Sequence, residues 1–178
     1  ESQKYDASSQ KIQVIYSGLN LDKISFQLKK FDGVSTLKIL SIGRDHWKKG
    51  YTYALSSVKL LKDFGLDLHY TIIGVGNNEE LLYQRSLLDL ENEVEFIEKL
   101  PFDEVLKEMQ ASDVVLLSSV EEGIANVVLE SMALGTLVIS TDCGGMNEVV
   151  SNNVNGFLIP IRDDASMVSA LQSVSGLT

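Results

Sequence analysis

Val114-Val115-Leu116-Leu117-Ser118-Ser119-Val120-Glu121-Glu122-Gly123-Ile124-Ala125-Asn126, running on through Val127 to Leu134 and Gly135, decides the fold. The continuous apolar run Val114 to Leu117 marks a strand buried on both faces, as strands of parallel sheets are. A polar loop follows, then a helical stretch from about Asn126 to Leu134, closed by Gly135. Working outward, the same alternation recurs. Leu37–Ile42 (LKILSI), Leu68–Ile73 (LHYTII), Val94–Ile97 and Leu137–Ser140 read as strands, with short ones at Ile12–Tyr16 and Phe157–Ile159. Tyr51 to Phe64 carries Ala54, Leu55, Val58 and Leu61 at helical spacing, and Gly65 suits the left-handed position after it. Asn77 or Asn78 can cap a helix carrying Leu81, Leu82, Leu87 and Leu88. Pro101 opens a short helix, Met146–Val150 is a helical turn, and Asp163 or Asp164 starts the terminal helix.

Strands separated by helices imply parallel pairing through right-handed crossovers. The expected fold is therefore an α/β domain with a doubly wound, Rossmann-like parallel sheet. In such sheets ligands bind beyond the carboxyl ends of the strands. The loops after Ile42, Ile73, Ile97, Leu117 and Ser140 are where chemistry is expected.

The chain has 178 residues, of which 44% are apolar and 22% charged, which suits one globular domain. Lys and Arg number 15 against 25 Asp and Glu, a net charge of -10. That balance argues against a nucleic-acid binder, which would show a basic patch. It does not exclude a small anion, because distant exposed charges are screened. Cys143 is the single cysteine and reads as a small semi-buried residue; His46 and His69 are the only histidines. No internal disulfide and no zinc framework follow from that set. No apolar run approaches the roughly 18 residues of a membrane span, and Glu1–Gln10 lacks the regions of a signal peptide. Residues 1–11 read as a polar lead-in to a domain over 12–178. The start at Glu suggests a piece of a longer protein, in a cytoplasmic setting.

Three loops carry candidate site residues. After Leu117, Gly123 lets the chain pass close to a ligand, and the helix that follows points free N–H groups into the crevice, a ready phosphate site. Glu130, about one turn inside that helix, can accept hydrogen bonds from a vicinal diol, and Glu122 can reach a second polyol group. The plainer alternatives are a solvated loop acid for Glu122 and charge complementarity at a helix start for Glu130. After Ile42, Gly43 ends the strand, and Arg44 and Lys49 can both lean into the crevice and hold a diphosphate. A basic surface loop is the alternative, and His46 and Trp47 read as loop packing. After Ile73, Gly74-Val75-Gly76-Asn77 is half of a dinucleotide fingerprint, lacks the third glycine and does not follow the first strand, so no nicotinamide site is expected. Gly144-Gly145 is another place for close backbone approach or an ordinary turn, and Asn155-Gly156 is a turn.

Taken together these residues resemble glycosyltransferase family 4, retaining enzymes of the two-domain GT-B architecture, from about Ile12 to Ile161. Val14-Ile15-Tyr16-Ser17-Gly18-Leu19-Asn20 looks like the segment entering the family's carboxyl-terminal domain. Gly43-Arg44 with Lys49-Gly50 looks like its diphosphate-binding pair. Glu122-Gly123 through Leu129-Glu130-Ser131-Met132-Ala133 has the Glu-x7-Glu spacing. Gly135 and Gly144-Gly145-Met146-Asn147-Glu148 also fit.

The resemblance implies a donor-binding domain. Arg44 and Lys49 would hold the diphosphate, Glu122 the donor sugar and Glu130 the ribose. Gly43, Gly74, Gly123, Ile124, Asn126 and Val127 would line the donor site, and backbone near Lys99 and Leu100 would frame the base. Glu98 stands where the family often has glycine, and the Gly74 loop lacks a frequent proline. The implied reaction is transfer from a UDP-, GDP- or ADP-sugar to a saccharide or lipid-linked acceptor, in polysaccharide or glycolipid assembly at the inner face of a membrane. The acceptor would be held by an amino-terminal domain that this chain lacks, so the chain alone would be incomplete for catalysis, and any peripheral membrane contact would be the whole protein's. No cofactor is expected. With no Asp-x-Asp pair and no histidine cluster, metal independence is expected too. A non-catalytic nucleotide-binding module is the alternative. A receiver-like signalling domain would need an acidic cluster after its first strand, where this chain is basic.

Overall fold

A computed structural model of the chain describes residues 13, 15, 18–29 and 36–176. Six strands form one parallel sheet: β1 (Leu37–Ile42), β2 (Leu68–Ile73), β3 (Val94–Ile97), β4 (Val114–Leu117), β5 (Leu137–Thr141) and β6 (Phe157–Ile159). Their spatial order is β3-β2-β1-β4-β5-β6. Register follows in step, with Leu37 beside Leu68 and Val114 beside Leu137. The chain winds outward from β1 in one direction and from β4 in the other, so the topological switch lies between β1 and β4.

Helices α1 (Tyr51–Asp63), α2 (Glu79–Leu87), α3 (Phe102–Ala111) and α4 (Asn126–Leu134) supply crossovers, and α5 (Asp164–Ser175) follows the last strand. Leu55, Val58 and Leu61 of α1, Leu81 of α2 and Met167 and Leu171 of α5 pack with Ile39, Ile72 and Val114 on one face. Leu106 and Met109 of α3 and Leu134 of α4 pack with Leu40, Ile73 and Val115 on the other. Alternate residues of one strand thus enter opposite cores, which is why β4 is apolar and buried at every position. Truncating a side chain as enclosed as Leu40 or Leu55 to Ala costs about 2–5 kcal/mol, both being fully buried. Within the sheet, buried Ser41 donates to the Leu116 carbonyl at 2.6 Å and receives the Tyr70 hydroxyl at 2.8 Å. Burial drives the Tyr70 pKa up, so the phenol remains a donor.

Local signals fix the ends. Gly65 takes φ 81 after α1, and Gly135 takes φ 85 after α4. Of the two candidate caps, Asn78 is the one that accepts from Leu81 N, at 2.7 Å, because it sits three residues before that N–H. Asp163 caps α5, accepting from Ser166 N at 2.9 Å. Pro101 occupies the cap position of α3, one residue before the first helical turn. β5 runs one residue past Ser140, and the turn expected over Met146–Val150 is a 3-10 turn of Met146–Glu148. The expected strand Ile12–Tyr16 lies, apart from Gln13 and Ile15, outside the described residues, as does the lead-in over residues 1–11. Gln27 N donates to the Leu134 carbonyl at 3.0 Å, covering an orphan acceptor at the end of α4.

Candidate functional site at the topological switch

The carboxyl ends of β1, β2 and β3 are locked abreast by backbone bonds. Gly43 N donates to the Ile73 carbonyl at 2.9 Å, Asp45 N to Gly74 at 3.1 Å and Gly74 N to Ile97 at 2.8 Å. Gly74, at φ 109, lies so close to the Gly43 carbonyl that a side chain could not be placed there. Gly74 therefore serves the crossing of two strand ends. Gly43 is crossed in turn by the Lys49 side chain: a Cβ there would lie 2.8 Å from Lys49 Cε and 2.9 Å from the Tyr51 hydroxyl. Tyr51 donates to the Gly43 carbonyl at 3.0 Å, and burial holds its pKa far above the ordinary value, which keeps the donor in place.

The loops after β1 and β4 are stitched across the switch. Val120 N donates to the Lys48 carbonyl at 2.7 Å, and the Ser118 hydroxyl to the Lys49 carbonyl at 2.8 Å. Gly50, left-handed at φ 64, has the Ser118 carbonyl where a Cβ would stand. Two successive ion pairs complete the seam. Lys48 meets Glu121 at 2.6 Å on the exposed rim, while Lys49 meets Glu122 deeper in, each of the latter pair with 20% of its side chain exposed. The resulting cleft, of about 410 Å³, is lined by Gly43, Arg44, His46, Lys48, Lys49, Glu121 and Glu122.

Arg44 reaches this cleft exposed and without an ion pair or side-chain hydrogen bond among the described residues. Lys49 was expected to lean into the crevice as a second cation; it does so already neutralised by Glu122. From Glu122 the chain passes through exposed Gly123 and half-buried Ile124 into α4. Ala125 precedes that helix, and neither a capping side chain nor a first-turn acid claims its amino end. Exposed Asn126 and half-buried Val127 form its first positions, open to an anion. Glu130 is one residue beyond the first turn, so the charge-complementarity explanation does not fit it. It is half-buried, and desolvation raises its carboxyl pKa.

Of the residues expected to line the donor site, Gly43, Arg44, Lys49 and Glu122 line this cleft, and Gly74, Lys99, Leu100, Gly123, Ile124, Asn126, Val127 and Glu130 do not. Lys99 is exposed after β3 and Leu100 packs toward the α3 side. Gly76 is pressed against the side chain of Glu98. His46 holds its own loop, its Nδ1 accepting from Lys48 N at 3.2 Å. Trp47, read as loop packing, is 67% exposed, with the His46 ring and the Lys48 ammonium each 5.8 Å from its ring centre. Its position in a three-residue 3-10 turn leaves no element against which to bury it.

One contributor escaped the sequence reading, and a second was read only as a place for close backbone approach or an ordinary turn. Ser119, fully buried, donates to Glu122 Oε1 at 3.2 Å. Gly144, at φ 59, presses its backbone onto the Glu122 carbonyl and admits no side chain. A serine three residues before a loop carboxylate was the available signal for the first; the second is a contact between loops that spacing cannot reveal. Among the described residues no group of three His, Cys, Asp or Glu gathers as a metal site.

Comparison with known proteins fits this geometry. The family profile described as glycosyl transferases group 1 matches residues 23–175. The amylovoran biosynthesis glycosyltransferase AmsK of Erwinia amylovora is 33% identical over 175 residues, 94% of this chain and 42% of AmsK. This chain thus spans less than half of that relative. The Anabaena protein HepE, crystallised with UDP-glucose, superposes with a TM-score of 0.79 at 21% identity, over 96% of this chain and 50% of HepE. The carboxyl-terminal domain of a glycosyl transferase group 1 family protein, LpcC of Francisella tularensis, gives 0.74 at 21% identity and covers 90% of both chains.

Proposed function

This chain belongs to the glycosyl transferases group 1 family, and from that premise we propose that it is the donor-binding half of a retaining, two-domain glycosyltransferase. The reaction is transfer of a sugar from a nucleoside diphosphate sugar to a saccharide or lipid-linked acceptor, in the assembly of a polysaccharide or glycolipid. The observation that carries this reading is the cleft at the topological switch that joins Arg44, Lys49 and Glu122, with the uncapped α4 following Glu122 along the chain.

Cleavage of the bond between the anomeric carbon and the phosphate oxygen leaves negative charge on the diphosphate. Arg44, Lys49 and the N–H groups at the start of α4 stabilise that charge, most strongly where water is excluded. Glu122 receives hydroxyls of the donor sugar, Glu130 receives the ribose hydroxyls, and backbone at Lys99 and Leu100 borders the base. The charge of the leaving group is met by side chains and backbone in this scheme, so no metal enters it. The retaining outcome and the division into donor and acceptor halves rest on the resemblance to family 4. AmsK, a relative more than twice this chain's length, is named for polysaccharide assembly, which supports the acceptor class. Among the described residues no helix is long and apolar enough to cross a membrane; peripheral contact with the cytoplasmic face of a membrane is proposed for the full-length protein on the family resemblance.

Thermal shift with UDP, GDP and ADP tests the reading, since a ligand selective for the native state raises its stability. One of the three raises the melting temperature of the wild type in a saturable way, and Glu130→Ala weakens that shift. No shift with any of them removes the donor site. Robust sugar transfer by this chain alone would overturn its assignment as a donor half.

A further inference from the structure

The Lys49–Glu122 ion pair occupies the groups that the donor reading assigns to different parts of one ligand. Lys49 is assigned to the diphosphate and Glu122 to the sugar. We propose that this pair makes Glu122 a specificity determinant that favours the sugar-bearing donor over the free nucleoside diphosphate; the inference rests on the donor-site reading above. The physical reason is an exchange of partners. A nucleoside diphosphate sugar gives Lys49 a phosphate and gives Glu122 sugar hydroxyls, so both groups of the opened pair are satisfied. A nucleoside diphosphate gives Lys49 a phosphate and gives Glu122 nothing. The carboxylate then either keeps its claim on the ammonium or stands beside the diphosphate as an unpaired like charge, which is unfavourable in a partly buried site. Product is thereby held more weakly than donor.

Three contacts keep Glu122 from turning away to avoid this conflict. Ser119, buried beneath it, donates to Oε1 at 3.2 Å. Ser119 is itself fixed, its carbonyl taken by the Thr141 hydroxyl. Gly144 packs on the Glu122 backbone. The neighbouring Lys48–Glu121 pair supplies an internal comparison. It repeats the same charges one residue away, with side chains 39% and 61% exposed, where solvent screens the pair. Glu122→Gln keeps the size of the side chain and its hydrogen-bonding ability while removing the charge; Glu121→Gln makes the same change of net charge on the rim.

Titration calorimetry with UDP, GDP and ADP, and with UDP-glucose for a uridine-preferring protein, separates the outcomes. Glu122→Gln is expected to bind the preferred nucleoside diphosphate about two- to fivefold more tightly than wild type does, the upper range of a solvent-screened ion pair, and not to gain for the sugar nucleotide. Glu121→Gln is expected to shift the same affinity less than twofold. An unchanged or weaker nucleoside diphosphate affinity in Glu122→Gln overturns the inference, as does an equal gain in both variants, which would reflect overall charge alone. Absence of binding by any of the three nucleotides to wild type and both variants removes the donor-site reading itself, and this inference with it.

Discussion

The two ends of the sheet present opposite surfaces. At the amino end a cavity of about 650 Å³ opens between Phe26, Leu28, Met132, Val154 and Phe157. At the carboxyl end the cleft between β1 and β4 is smaller, about 410 Å³, and lined by charged and polar side chains around Gly43. Size alone would choose the first. The winding of the chain chooses the second, because every crossover helix that follows a strand begins at the carboxyl end and turns its positive dipole end there. The amino end receives helix carboxyl termini instead, as where Gln27 covers the Leu134 carbonyl. An acidic chain of net charge -10 thus concentrates its helix amino ends at the carboxyl end of the sheet.

Loss of Arg44 exposes this contrast most sharply. Arg44→Ala is expected to weaken nucleoside diphosphate binding about ten- to a hundredfold, the worth of a charge-assisted hydrogen bond. Its urea midpoint should match wild type, since Arg44 is exposed and unpaired among the described residues. Calorimetry beside chemical denaturation checks both, and an equal loss in stability would make Arg44 a structural residue. The mirror image lies at the other end. Lys29 pairs at 3.0 Å with Asp113, whose side chain is 4% exposed; Asp113 also accepts from Lys38 N at 2.8 Å. Lys29→Ala is expected to cost about 1–3 kcal/mol of stability and to leave nucleotide affinity within twofold. A change in affinity matching that of Arg44→Ala would erase the distinction between the two ends.

Glu130 combines both behaviours in one residue. Burial raises its native carboxyl pKa above the ordinary value near 4.5, so its ionised form opposes folding at neutral pH and the opposition fades as pH falls. Glu130→Gln should hold or raise the melting temperature at pH 7, and more so than at pH 4. It should also lower nucleotide affinity about fivefold through the lost charge on its hydrogen bonds. A lower melting temperature would make Glu130 a structural carboxylate. The smallest effect belongs to Asp163, whose pKa is lowered first by the Ser166 N–H and then by the Ser166 hydroxyl. That contribution is complete above the ordinary carboxylate value near 3.8 and is lost as pH falls through the lowered native value. Unfolding curves of wild type and Asp163→Asn should therefore converge on acidification below pH 3.8; parallel curves would contradict the cap.

Strand positions were legible because period and punctuation agree. Leu37–Ile42, Leu68–Ile73, Val94–Ile97, Val114–Leu117 and Phe157–Ile159 stand where the apolar runs place them, each followed by glycine, proline or polar residues that stop it. The parallel pairing followed from intervening helices, whereas the spatial order, and with it the switch between β1 and β4, came only with the fold. The basic loop after β1 and the acidic loop after β4 were legible as candidates, since their residue types are visible one by one. That Lys49 spends its charge on Glu122 was not, because the contact joins residues 73 positions apart. Ser119 was missed, and the partner of Gly144 was unseen, for the same reason: each acts through a neighbour that only the folded chain supplies. The exposure of Trp47 went unread because a large aromatic in a loop signals packing, whereas a 3-10 turn holds it outward.

A crystal structure of this chain with its preferred nucleoside diphosphate tests the central claim most directly. The account predicts diphosphate oxygens within hydrogen-bonding distance of Arg44, of Lys49 and of the first N–H groups of α4. A diphosphate seated in the amino-end cavity, or one that leaves both side chains untouched, would contradict it.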